Sequence, residues 1–281
     1  MLTDAHCHPA NLVRFFPGRE NVPEDERRGL GVACASSATA PEEFELCEKL
    51  SAAAKTDSAA PVFPCFAVHP QMPRHLGPAF YEKRGPETGA EGLEFLEALA
   101  ASGRLAAVGE TGFDLFDAGF RETEKTQDAL FAAHLDTALR HGLPLVLHVR
   151  RAVHKVFAHS AALKKCRAVV FHSWSGTLND GEALLRRGIN AFFSFGTVIA
   201  LNHREAMRCC ARFPVERLLT ETDAPFQPLR GTGFSRYADL PRILETMAAL
   251  RCEAGEPAAN AGALEKSVEG NFRAVFLAAD N

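Results

Sequence analysis

Short apolar runs and longer amphipathic stretches alternate along the whole chain. The runs are Leu2–Ala5, Gly31–Ala35, Val62–Val68, Leu105–Gly109, Leu143–His148, Ala168–His172, Ala191–Phe195 and Leu218–Glu221. Between them, helical patterns cover Glu42–Lys55, Glu91–Ser102, Glu122–His141, Ala152–Lys165, Leu178–Arg187, Arg204–Phe213, Asp239–Cys252 and Ala261–Leu277. In the third of these, Leu130, Phe131, His134, Leu135, Ala138 and Leu139 form the stripe that one face of a helix buries. Strands that are apolar throughout are covered on both sides, as in a parallel sheet flanked by helices. Eight strands alternating with eight helices predict an α/β protein, a (β/α)8 TIM barrel forming a single domain over residues 1–281. An open, doubly wound sheet is the competing arrangement. The Pro- and Gly-rich stretch Gln71–Ala90 reads as a long loop after the third strand.

Composition narrows the class without identifying the chemistry. The 281 residues are 47% hydrophobic and 23% charged, which suits a globular chain able to bury a large core. No apolar stretch is long enough for a membrane-spanning helix, and the start of the chain lacks the pattern of a signal peptide. The eight cysteines make no CxxC pair and lie scattered in apolar segments, as expected of reduced residues in a cytoplasmic protein. A net charge of −4 supplies no global attraction for nucleic acid or anionic lipid, so contact with a polyanion must be local. No obligate protein partner is evident.

The candidate chemistry sits where the apolar runs stop. His6 and His8 follow the first run; residues two apart on a strand project to one side, so both imidazoles aim at one point. Glu110 follows the fourth run, His148 ends the fifth, His172 ends the sixth, and Asp223 follows the eighth. Barrel enzymes build their sites at these C-terminal strand ends. Four histidines and two carboxylates suit two divalent ions (Zn, Mn or Mg) better than one. Two such ions can activate water and neutralise a phosphoryl oxygen, and Glu110 has two oxygens to share between them. The fourth strand has no lysine, which excludes a carbamylated lysine from that strand.

The chain resembles the TatD family of metal-dependent deoxyribonucleases, within the amidohydrolase-type barrel hydrolases. The resemblance rests on Thr3-Asp4-Ala5-His6-Cys7-His8, Val68-His69-Pro70, Val108-Gly109-Glu110-Thr111-Gly112-Phe113-Asp114 and Leu143-Pro144-Leu145-Val146-Leu147-His148-Val149-Arg150. It continues through Phe171-His172-Ser173-Trp174-Ser175-Gly176 and Glu221-Thr222-Asp223-Ala224-Pro225. It implies a barrel, divalent metals and cleavage of DNA from a 3′ end. It matches His6, His8, Glu110, His148, His172 and Asp223 to the family's metal-site positions, and His69 to a His-Pro motif near the substrate phosphate. Two places depart from the common pattern. Ser173-Trp174 stands where the family commonly has Cys-Phe, and Phe113-Asp114-Leu115 where it commonly has Leu-Asp-Tyr.

The expected reaction is therefore metal-assisted hydrolysis of a phosphodiester in single-stranded DNA or another nucleic-acid end. Asp223 is expected to take and return a proton, and His172 and His69 to donate to phosphate oxygens. Arg150 adds a charge-assisted phosphate contact, and Trp174, the only tryptophan, is expected to stack on a base. Two other readings use the same residues: a hydrolase of small amides, lactones or phosphoesters, and a non-catalytic, metal-stabilised binding protein.

Overall fold

The computed structural model describes residues 1–76, 87–256 and 260–277. Eight strands form one sheet in sequence order: β1 Thr3–Cys7, β2 Ala33–Ala38, β3 Val62–Phe66, β4 Ala107–Asp114, β5 Leu145–Arg150, β6 Val169–Phe171, β7 Ala191–Phe195 and β8 Leu218–Thr220. Each pairs in parallel with the next. The first and last strands meet through the Asp223 N–H donating to the His6 carbonyl at 2.9 Å and the His8 N–H donating to the Ala224 carbonyl at 2.7 Å. The expected (β/α)8 barrel is what the chain builds. One apolar cluster takes a residue from every strand (Ala5, Ala35, Cys65, Ala107, Val146, Val170, Phe192 and Leu219) and is capped by Phe272, Val275 and Phe276 of the last helix, Ala261–Phe276. That packing fills the barrel at one end, leaving the C-terminal strand ends to carry the polar residues.

Four sequence expectations need correction. β4 runs on to Asp114 and β5 to Arg150, so Glu110 and His148 stand inside strands and not at their ends. Between Val108 and Thr111 the register shifts: three steps of β4 oppose two of β5, a bulge that turns Glu110 into the barrel. Gly112 lets the strands close up, since its φ is +130° and an added Cβ would lie 2.2 Å from the His148 carbonyl oxygen. Second, part of Gln71–Ala90 is helical: Met72–Leu76 carries Pro73 in its first turn, where no N–H is needed, and the next helix starts at Glu87. The middle of that stretch, residues 77–86, lies outside the described residues.

Third, the expected helix Ala152–Lys165 is broken in two at His159, while the expected Glu122–His141 forms one helix from Glu124, preceded by a separate short helix Ala118–Glu122. Fourth, the helix Val22–Gly29 has no apolar stripe to announce it. Its buried anchor is Arg27, whose guanidinium donates to Glu24 and to the carbonyls of Val32 and Ala60. A charged residue does there what an apolar one usually does. Among the described residues no helix is long and apolar enough to cross a membrane.

Candidate metal centre

Glu110 is the hub of the site. Its Oε2 lies 3.1 Å from His6 Nε2 and 3.5 Å from His8 Nε2. Its Oε1 lies 2.7 Å from His148 Nδ1, 2.9 Å from His172 Nε2 and 3.1 Å from His69 Nε2. Asp223 completes the group, with Oδ1 3.6 Å from His6 Nε2 and 3.5 Å from His8 Nε2. All six residues read as metal ligands thus converge, and His69 joins them. The donor atoms fall into three overlapping groups able to hold an ion: His6, His8 and Asp223; His6, Glu110 and His172; His69, Glu110 and His148.

The far ring nitrogens sort the histidines by role. His6 Nδ1 lies 3.1 Å from the Ser37 hydroxyl, His148 Nε2 lies 3.0 Å from Asp114 Oδ2, and His172 Nδ1 lies 3.4 Å from Glu221 Oε1. The Asp114 carboxylate can only accept, so the His148 ring proton sits on Nε2 and its Nδ1 turns a lone pair toward the cluster. His69 differs, because its Nδ1 accepts the Gln71 N–H at 3.1 Å. Its proton therefore sits on Nε2, the nitrogen that faces Glu110. This makes His69 a donor, where His148 presents a ligand lone pair.

The charge balance fits divalent cations. Burial opposes ionisation of Glu110, but His69, His172 and His6 hold its carboxyl well below the usual carboxylate range. Burial likewise opposes charge on His8, yet Asp223 and Glu110 pull it up to about 9. His172 is raised well above its ordinary value by Glu110 and Glu221 in the same way. Burial and the facing imidazoles instead lower His6 and His69, so the cluster mixes neutral nitrogen and anionic oxygen donors, with His6 Nε2 and His8 Nε2 3.0 Å apart, the chemistry of a cation site.

Several supporting residues carried no assignment in the sequence reading. Asp4, fully buried, accepts the N–H groups of His6 and Thr222 and the Thr222 hydroxyl, which ties β1 to the segment after β8; burial pushes its carboxyl up to about 7. Gln71 Nε2 donates to Asp114 Oδ2 at 2.7 Å, and Gln227 Nε2 donates to Asp223 Oδ2 at 2.6 Å. Glu221 is completely buried with His172 as its ionisable neighbour. Asp4, Asp114 and Glu221 all lie in motifs that marked their neighbours. Nothing in the sequence signals Ser37 or Gln227.

The cluster opens into a cavity of about 900 Å³. Arg150 lines it, its guanidinium lying 3.7 Å from the centre of the Phe116 ring. Trp174 also lines it but is 2% exposed, wedged against Phe171, Phe193 and Phe213. Its ring is almost wholly covered, so the structure makes it a wall of the cavity and gives no free face for a base.

A sequence model described as TatD related DNase matches residues 3–277. The chain belongs to the TatD family. Escherichia coli strain K12 has a relative described as the uncharacterized metal-dependent hydrolase YjjV; it is 29% identical over 253 residues, covering 89% of this chain and 88% of the relative. The crystal structure of that TatD homologue superimposes with a TM-score of 0.78 at 26% identity, over 99% of this chain and 98% of that one. A 3′-5′ ssDNA/RNA exonuclease TatD of Erwinia tasmaniensis is 34% identical over 182 residues, or 62% of this chain and 69% of the relative. Membership in this family, together with the donor cluster, makes the protein a metal-dependent hydrolase.

Proposed function

We propose that this hydrolase removes nucleotides from the 3′ end of single-stranded DNA, with RNA as a related substrate, working with two divalent ions. The observation that carries the reading is the convergence of six ligands and the donor His69 on one open cavity with an unneutralised arginine on its wall. Among the described residues no carboxylate pairs with Arg150. Relatives described as 3′-5′ ssDNA/RNA exonucleases support the choice of substrate.

His6, His8, Glu110, His148, His172 and Asp223 would hold the divalent ions, which when bound would lower the pKa of a water and offset charge on a phosphoryl oxygen. The protein's own groups supply direction. Asp223 is held ionised: burial opposes this, but His8 and the neighbouring imidazoles bring its pKa below the usual range. Its Oδ2 is fixed by Gln227, whose amide also bonds the Ser173 hydroxyl, so the carboxylate is a positioned base able to accept a proton and return it to the leaving oxygen. The Nε2–H of His69 and the guanidinium of Arg150 donate to non-bridging oxygens. The cysteines, all free and seven of eight buried, agree with work in a reducing cytoplasm.

The test is a panel of single-stranded DNA, RNA, a dinucleotide ester and small amides and lactones, each given to the metal-loaded protein. Turnover of the oligonucleotides above the rest is expected. Hydrolysis confined to small amides or lactones would overturn the reading in favour of a small-molecule hydrolase.

A further inference from the structure

Phe226 is a large apolar side chain that the fold leaves in the open. Four large hydrophobic side chains are exposed among the described residues, Phe15, Leu30, Phe226 and Leu277, and only Phe226 lines the cavity. It is 49% exposed. Its ring meets His8 edge-on at 5.2 Å between centroids, which puts it beside the group formed by His6, His8 and Asp223.

The exposure is built into the backbone. Asp223 and Gln227, on either side, both have φ of +54°, a conformation that residues with a side chain adopt at a cost. The segment between them is held on every side. The Phe226 N–H donates to the Asp223 carbonyl at 2.7 Å, the Ser235 hydroxyl donates to the Phe226 carbonyl, and the Thr197 hydroxyl donates to the Gln227 carbonyl. Gln227 in turn is tied to Ser173 and Asp223. A tightly bonded turn therefore aims an aromatic ring at solvent, one ring away from the ligand cluster. Arg150 lines the same cavity and sits over the Phe116 ring at 3.7 Å, with Arg151 over that ring as well at 4.6 Å. Stacking orients the Arg150 guanidinium while leaving its N–H groups free for an anion.

We propose that Phe226 is the platform on which the base of the terminal nucleotide stacks, with Arg150 taking the phosphate of the neighbouring nucleotide. This rests on the nuclease reading above and sharpens it: the cavity selects a base-bearing strand end over a bare phosphate ester. Every base has a π-face, so the platform is indifferent to sequence. Phe226 thus fills the part that sequence alone gave to Trp174.

The test compares a single-stranded DNA oligonucleotide with a twin whose 3′-terminal nucleotide is abasic. Metal-loaded wild-type protein, Phe226→Ala and Phe226→Trp are assayed on both, with kcat and KM separated. The wild type is expected to prefer the base-bearing end about tenfold, mostly in KM, as base–aromatic stacking provides. Phe226→Ala brings the ratio to about one, and Phe226→Trp keeps it. A full preference surviving in Phe226→Ala overturns the proposal, whatever the activity of the protein. Fluorescence anisotropy with metal-loaded Asp223→Asn, alone and combined with Phe226→Ala, measures binding without turnover. Base-dependent binding that Phe226→Ala abolishes, in a protein that cleaves no oligonucleotide, keeps the platform and refutes the nuclease reading. Cleavage by the wild type without base preference does the reverse, and binding of neither oligonucleotide overturns both.

Discussion

Lowering the pH tests whether the neutral state of His134 helps to hold the site-bearing end of the barrel. His134 is completely buried on the helix Glu124–His141. Its Nδ1–H donates to the Leu130 carbonyl at 2.6 Å, and its Nε2 accepts the Val68 N–H at 3.0 Å, one residue before His69. Both nitrogens are therefore committed to the neutral ring, and protonation would break the bond to Val68. Burial lowers the pKa to about 4 from an ordinary 6.5. Between these values the unfolded chain binds more protons than the folded one, so stability falls as pH falls through this window and is complete above it. A difference of about 2.5 units is worth about 3 kcal/mol in all, and about 2 kcal/mol is lost between about pH 7.5 and about pH 5. Urea unfolding of the wild type and His134→Gln at both pH values reads this out, because the other titrating groups are common to the two proteins. We expect His134→Gln to be less stable at the higher pH and the gap to shrink by about 2 kcal/mol at the lower one. An unchanged gap would refute the assignment of His134 as a neutral buried strut.

Three further perturbations address the metal centre. Elemental analysis of protein reloaded with metal should approach about two divalent ions per chain; a loaded value below one excludes the binuclear reading. Asp223→Asn should lower turnover by about 10²–10⁴-fold with metal content largely kept, and near-normal turnover would remove Asp223 as the proton acceptor. Glu221→Gln should weaken metal binding about 10–100-fold, measured by competition with a chelator, because His172 loses the buried negative charge 3.4 Å from its Nδ1. Affinity equal to wild type would reduce Glu221 to a packing residue.

The barrel was legible because its signal is local. Each strand is a short apolar run, and the helices packed between them carry their stripes within a few turns, as Leu130, Phe131, His134 and Leu135 do on the helix Glu124–His141. The convergence of the six candidate ligands was legible for a related reason: in a parallel barrel the ends of all strands meet, so residues far apart in sequence fall in one place. What could not be read depends on contacts between distant segments. The β4 bulge is an offset between Val108 and Thr111 against β5, a property of the strand pair, and Gly112 beyond it lets β5 approach. Arg27 anchors a helix only because the Val32 and Ala60 carbonyls surround it. Trp174 and Phe226 make the point for function. Each follows a site residue in an aromatic-bearing loop, and the difference between a wall and an open ring is made by Phe171, Phe193 and Phe213, which cover one and not the other.

End-directed cleavage of single-stranded DNA by the metal-loaded protein bears most directly on what this site does. A 5′-labelled oligonucleotide, the same oligonucleotide blocked at its 3′ end, and a closed circle of single-stranded DNA are incubated side by side, each with and without chelator. We expect a ladder shortening by one nucleotide at a time from the first substrate, survival of the blocked strand and the circle, and no reaction with chelator. Rapid internal cutting of the circle, or intact substrates in every lane with metals bound, would contradict it.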